Sequence, residues 1–460
     1  MRVDWLRGRH PIAEIVSSLL IFFIVLFPKG GLKLGLVPVT WGYLLLATIA
    51  PLLVLYGIVA LPWRVRPASF AAYASTVPFQ VIFLYSYIAN GVGWLSYAIS
   101  VVVNFFFLPP VFLLVLPAFY PWLDAERFRR QLCSAIFWTA VFGIFLFFWW
   151  PFTGKLIEIP FLTVNLADYG TVAQTKHIYR GPFLKLISTY NNGNVYGVAM
   201  LIILPLYSLI EPKRWRRNTL RLALFLTLAR TVWAGLIVEQ LLGLAQPFFL
   251  SLGSFPRLRL GGAGRRLFVI GAVMLIILLF ALSNPSRIAY VYDPTLGGRI
   301  GELSMLREVT PLPTAPVTGF AEVLFASALV NYGVIGAAAF FFIFALPVLM
   351  VVARPQWLGD PVRRMALKGM VLYVIVSASD GATNLIPVMA FFWFTYSVYL
   401  VGMPGTQGVA ATMGVPARAP QTMPGIEGGW IDGGVMAADR MQHVALDASP
   451  TQRHARSEAW

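Results

Sequence analysis

The chain has 460 residues, of which 58% are hydrophobic, 15% aromatic and only 12% charged. Soluble domains carry about 25% charged residues, so a water-soluble globular fold is excluded; the net charge of +16 then reads as basic loops on one side of a membrane, not as a nucleic-acid footprint. A single cysteine, Cys133, excludes a disulfide framework or a cysteine metal site within one chain.

The apolar residues fall in blocks near the roughly 20-residue length that crosses a bilayer core. In chain order, Arg2, Arg7 and Arg9 precede a first span from Pro11 to Phe27, read as a retained helix because no small-residue cleavage site follows it. A short turn at Pro28–Gly31 leads to a second span, Trp41–Pro62, closed by Arg64 and Arg66. Spans at Ala68–Ala89 and Gly93–Trp122 end at Arg127, Arg129 and Arg130, and a fifth runs from Leu132 to Phe152. A polar stretch, 153–194, is too long for a turn and too irregular for a span. The sixth span, Val195–Ile210, ends at Lys213, Arg214, Arg216 and Arg217. Residues 220–254 lie between two basic clusters and are expected to form two short spans or a re-entrant hairpin. Leu267–Ser283 is the ninth span, and 284–318 is a second polar loop. Phe320–Val352 ends at Arg354, Arg363, Arg364 and Lys368, and the last pair is Leu367–Ala378 and Leu385–Met403. The expectation is an all-α polytopic protein of about twelve transmembrane helices over residues 1–403, with two large periplasmic loops, 153–194 and 284–318. Most Lys and Arg fall on the opposite loops, which places both termini in the cytoplasm and the protein in the inner membrane. The Gly-, Ala- and Pro-rich segment 404–460 has no apolar period and is expected to be a disordered cytoplasmic tail.

Candidate chemistry rests on basic residues outside the cytoplasmic clusters. Arg230 is set in the apolar sequence Leu226-Thr227-Leu228-Ala229 and Thr231-Val232-Trp233. An arginine at membrane depth costs at least about 2.5–3.5 kcal/mol on insertion scales, which marks it as functional unless it snorkels at a helix end. Arg299 stands among Gly297, Gly298 and Gly301, where backbone can approach a ligand closely. Arg180 precedes Gly181-Pro182, and Arg307 has Glu308 beside it as a local ion-pair partner. Tyr190-Asn191-Asn192-Gly193-Asn194 suits a tight turn and a helix start, and its amides suit sugar hydroxyls. Glu322 opens an apolar helix, where a carboxylate serves as a cap or as a general base. The four His residues are dispersed, and no metal motif or P-loop is present. Guanidinium groups would have to stabilise a pyrophosphate unaided, which their bidentate geometry allows.

Four segments resemble the superfamily of O-antigen ligases and Wzy-type polysaccharide polymerases. STYNNGNVYGVAMLIILPLY (188–207) resembles its Asn-rich turn leading into a span. LTLARTVWAGLIV (226–238) is similar to its intramembrane Ser-Arg-x-x-Trp element, with Ala229 for Ser. GGRIGELSML (297–306) is similar to its Gly-Arg loop opening. EVLFASALVNYGVIG (322–336) ends like the ligase His-Asn-x9-Gly-x-x-Gly pattern, with Glu322 for His and Val323 for Asn. The missing His turns the reading from ligase towards polymerase. The resemblance implies a GT-C-like, metal-independent glycosyltransferase without a cofactor, acting at the periplasmic face. It would transfer a glycan from undecaprenyl pyrophosphate to a sugar hydroxyl on another lipid-linked repeat unit. Arg230, Arg299, Arg180 and Arg307 would bind pyrophosphate, and Glu322 would deprotonate the acceptor. Tyr190, Asn191 and Asn194 would bind sugar. Its partners would be the lipid-linked oligosaccharide, the bilayer, and the chain-length regulator and flippase of the same pathway, with no nucleic acid. Two alternatives stay open: an O-antigen ligase, and a twelve-helix lipid-linked sugar transporter, for which discontinuous helices and mid-membrane polar residues are the signature.

Overall fold

A computed structural model describes residues 11–34, 37–48, 66–91, 93–175, 178–180, 183–250, 305–317 and 323–403 (379 excepted), with 51, 303 and 319. Arg299, Glu322, the span 267–283, most of the loop 284–318 and the tail 404–460 lie outside the described residues.

The protein is mostly helical, in the manner of a multi-pass membrane protein. Among the described residues five helices are long and apolar enough to cross a membrane: Pro67–Asn90, Leu95–Val115, Ala125–Thr153, Gly193–Ile210 and Leu324–Ala353. Ala13–Leu26 and Ile386–Val401 are shorter apolar helices.

The first helix, α1 (Pro11–Leu20), continues as π-helical turns to Leu26. Where the sequence suggested a short turn into the second span, an antiparallel hairpin stands instead: β1 (Gly31–Leu34) pairs with β2 (Val37–Thr40). Its period-two pattern (Leu32, Leu34, Val37, Val39) was the signal that could have found it. The hairpin seats on the 159–168 loop through a bridge between Gly31 and Asn165, the Trp41 indole N–H on the Phe161 carbonyl at 2.5 Å, and a 3.5 Å Lys33–Asp168 ion pair.

Two helices, α2 (Pro67–Ala74) and α3 (Val77–Asn90), form the next passage. It is followed by α4 (Leu95–Val102), which runs on through π-helical turns at Val103–Phe107 and Pro110–Val115. The helix α5 (Ala125–Thr153) begins a full two turns before the expected Leu132. Asp124 caps it, its Oδ1 accepting from the N–H groups of Glu126 and Arg127 at 3.1 Å, so the basic triplet lies on the helix and not in a loop. After the irregular 153–192 segment, which includes the small β3–β4 pair (Tyr179–Arg180 with Phe183–Leu184), comes α6 (Gly193–Ile210).

Residues 214–250 form a helical hairpin, α7 (Arg214–Leu226) and α8 (Arg230–Leu250), with its tip at Thr227–Ala229. This is the folded-back arrangement expected for 220–254, begun earlier in the chain. The chain is next described from the turn at 305–317, after which come α9 (Leu324–Ala353), α10 (Pro361–Ser377) and α11 (Ile386–Val401). Arg363, Arg364 and Lys368, read as loop residues, are therefore helical.

The centre of the bundle is aromatic. Phe79 of α3 meets Phe105, Tyr332 and Phe340 edge-on at 4.9–5.1 Å, and Phe344 and Tyr373 pack on Phe392 of α11 at 5.1 and 4.7 Å. Such pairs add about 0.5–1.5 kcal/mol each beyond area burial. At the end where α6 terminates, guanidinium groups satisfy its last carbonyls. Arg129 donates to the Ile210 carbonyl at 2.6 Å and Arg217 to the Ser208 carbonyl at 3.0 Å, while Arg216 pairs with buried Glu211 at 3.1 Å. Cations there complement the helix dipole.

Candidate functional site

The starts of α6 and α8 lie side by side at the same end of the bundle, and glycines set that approach. A Cβ on Gly197 would run into Val232, and one on Gly235 into Leu201. The two contacts step in the same direction along both chains, so α6 and α8 are parallel. One turn above Gly197, the α6 start at Gly193 faces the carbonyl of Thr227. The Leu186 N–H donates to the Leu226 carbonyl at 3.0 Å, joining the loop before α6 to the hairpin tip.

The local sequence dictates this geometry. Asn192 caps α6, its Oδ1 accepting from the N–H groups of Asn194 (2.8 Å) and Val195 (3.3 Å). At the hairpin tip the Thr227 hydroxyl donates to the Leu224 carbonyl at 2.7 Å. Trp233 folds back on α7, its indole N–H on the Phe225 carbonyl at 2.8 Å and its ring stacked on Phe225. Leu228 is held at φ +52°, a left-handed conformation costing about 1–2 kcal/mol for a residue with a Cβ. Backbone of this kind concentrates at functional sites. Leu228→Val is expected to lower the melting temperature of the detergent-solubilised protein, because branching at Cβ worsens the clash, whereas Leu228→Gly leaves it unchanged or raised.

Arg230 is the first residue of α8, directly after that strained tip, at a helix end and not in mid-span. A cation there opposes the helix dipole by about 0.3–1 kcal/mol. The neighbouring start of α6 points the same way, so two helix N-termini and a guanidinium gather positive potential in one place. The loop before α6 packs on α5, where the Ser188 hydroxyl donates to the Thr139 carbonyl at 2.6 Å, about 14 residues or roughly 21 Å of helix before the last residue of α5. Packed against α8 and α6 together, α10 runs antiparallel to α8. Val376 meets the Gly235 position, so buried Asp380, one turn further on, lies at the same end as Arg230. Asp380 was not singled out by sequence; nothing local distinguishes it from a solvated loop acid.

The three residues expected to bind sugar are divided by the fold. Tyr190 is fully buried and donates its hydroxyl to the Val25 carbonyl at 3.0 Å; burial pushes that hydroxyl well above the usual tyrosine range, so it stays a donor. Asn191 adopts φ +55° and gives its amide to the Thr163 carbonyl at 2.9 Å. Both are committed to the packing of the 159–192 segment. Asn194 is different: its side-chain oxygen is buried with no hydrogen-bond partner among the described residues, and it lies on the α6 face that carries Gly197 and Leu201 towards α8. Asn192→Ala should cost about 1 kcal/mol of stability through the lost cap, while Asn194→Ala should leave thermal stability unchanged. Thermal melts of the two variants compare the roles.

Arg180 lies in β3, whose backbone pairs with β4. Arg307 is exposed in the turn Met305–Glu308, which packs on α9. The described contacts thus bring the helix starts that carry Asn194 and Arg230 together, with Asp380 at the same end.

Sequence reasoning also missed a buried ion pair. Lys368 of α10 donates to Glu239 of α8 at 2.7 Å, with side chains only 11% and 7% exposed, and Gln240 donates to the other carboxylate oxygen. Glu239 was visible as an acid within a span, but Lys368 read as part of a cytoplasmic cluster.

No model of a known protein family matches this chain, and no curated protein sequence matches it.

Proposed function

We propose that the protein is a polysaccharide repeat-unit polymerase of the inner membrane, with about twelve spans and cytoplasmic termini. It transfers a glycan from undecaprenyl pyrophosphate to a sugar hydroxyl of a second lipid-linked repeat unit at the periplasmic face. The observation that carries the reading is the pairing of two parallel helix starts, α6 and α8, with Arg230 at the first position of α8. Helix N-termini and a guanidinium are what a pyrophosphate requires. In the reaction the acceptor oxygen attacks the anomeric carbon of the donor sugar. The bond from that carbon to the phosphate oxygen breaks, and the electron pair leaves with the lipid pyrophosphate. Positive charge fixed where the leaving group develops its own charge lowers the barrier without reorganisation. The acceptor proton passes to a carboxylate, a role the family resemblance gives to Glu322. Arg299, Arg180 and Arg307 are the further pyrophosphate ligands of this reading, and Asn194 a sugar ligand.

A second reading, a transporter for lipid-linked sugars, is favoured by a specific observation. The helix α9 is broken at Gly333 (φ +68°, ψ −179°), and an ion pair is buried in mid-helix between α8 and α10. Discontinuous helices and intramembrane charges are transporter features. The deciding experiment uses purified protein in liposomes containing a lipid-linked repeat unit, with no ion gradient. A polymerase yields longer lipid-linked chains and free polyprenyl pyrophosphate. Transfer of intact lipid-linked units between leaflets with no chain growth would sink the polymerase reading.

A further inference from the structure

The Glu239–Lys368 pair lies apart from the anion site, yet on the helix that carries it. Arg230 opens α8, and Glu239 follows nine residues later, about 13.5 Å along the axis. Both carboxylate oxygens are engaged, Oε1 by Lys368 and Oε2 by Gln240, so the Glu239 side chain is held in one arrangement. Lys368 stands seven residues inside α10 from Pro361, with its ammonium turned into the helix interface at the expense of its solvent exposure. Gly243, one turn beyond Glu239, leaves that ammonium room: a Cβ there would stand 3.4 Å from Nζ.

Other contacts hold α8 at its start, where the Trp233 indole N–H on the Phe225 carbonyl ties it to α7. Its contacts with α6 and α10 at this level are aliphatic, Val232 on Gly197 and Leu201 and Val376 about Gly235. A slide along the helix axis would unseat Val232 from Gly197 and Leu201 from Gly235, but the lipid tails are as apolar as these side chains and replace part of that packing. An ion pair in a low-dielectric interface does resist it, since any slide parts two desolvated charges.

We propose that Glu239 and Lys368 are positioning residues: their pair fixes the axial register of α8 against α10 and so holds Arg230 level with the start of α6. The register claim stands on the geometry alone, and its consequence for polymer formation rests on the proposed polymerase reading.

The test uses the full chain with Cys133→Ala and spin labels on Leu241→Cys of α8 and Ile375→Cys of α10, both exposed positions. The label-to-label distance is measured by pulsed electron resonance, and polymer formation is measured in the same preparations. Glu239→Lys and Lys368→Glu are each expected to shift or broaden the distance and to lower polymer formation about 100-fold, the scale of a misplacement near 1 Å. The double reversal Glu239→Lys/Lys368→Glu is expected to restore the narrow distance and most of the activity. Where a single reversal fails to insert, Lys368→Met replaces it, with the same shift expected. Folded single variants that keep the parental distance overturn the proposal, whatever the enzyme's activity. A double reversal that restores the distance but not the activity of a polymerising parent also overturns it, because Glu239 then has chemistry of its own. If the labelled parent makes no polymer while the reversal restores the distance, the register stands and the polymerase reading fails.

Discussion

Arg230→Ala is expected to abolish long-chain polymer, lowering the rate of chain growth by about 10²–10³-fold, the scale of removing one preorganised charge-stabilising group. Arg230 begins α8 beside the start of α6, so an anion there meets two helix dipoles and a guanidinium together. Arg230 is partly buried, where water screens charge less than at an open surface. The arginine also stands at the helix end where a cation is least favoured and an anion most favoured. Arg230→Lys keeps the charge but loses the planar fork, so it should retain partial activity, between wild type and alanine. The measurement is polymer length on gels from a polymerase-deficient strain, at matched amounts of membrane-inserted protein. Normal polymer from Arg230→Ala would show that this helix start is not where the pyrophosphate leaves, and the transporter reading would move ahead.

Gly333→Ala is expected to reduce the yield of folded protein more than any other single methyl addition to α9. The Gly333 backbone sits at φ +68°, ψ −179°, a region essentially confined to glycine. The break exists because the 310–312 strap enters it: Val334 and Ile335 donate their N–H groups to the carbonyls of Thr310 (2.9 Å) and Pro311 (3.1 Å). A Cβ on Gly333 would lie 2.7 and 2.8 Å from those two oxygens. Both are backbone atoms and cannot move without dissolving the strap. Conformational strain alone costs of order 1–3 kcal/mol, and the overlap adds about 1–3 kcal/mol more, a large share of typical net stability. Fluorescence-detected size-exclusion of solubilised membranes checks this, with Ala338→Leu, on the exposed side of the same helix, as the control that should elute normally. A monodisperse Gly333→Ala peak of wild-type height would mean that the break at Gly333 is not required.

The sequence by itself determined that the chain belongs in a membrane, because charge depletion and block length are properties of composition and order. It also marked Arg230 as a guanidinium in apolar sequence, but not that the fold puts it at a helix start rather than in mid-span. The Asn-rich turn was legible as a helix start, and Asn192 is the cap at that start. Gly333 could be noted as a glycine, but its reason could not be read, because the strap that demands it comes from some 20 residues earlier. Tyr190 and Asn191 looked available for sugar. Their partners, the carbonyls of Val25 and Thr163, lie on segments distant in the chain. The Glu239–Lys368 pair spans 129 positions and leaves no periodic trace. The reason for the division is physical. Hydrophobicity, capping and turn preference act over a few residues and are written locally. Burial of a hydroxyl, pairing of distant charges and the level at which two helix starts meet depend on which helices become neighbours, and only the packed bundle decides that.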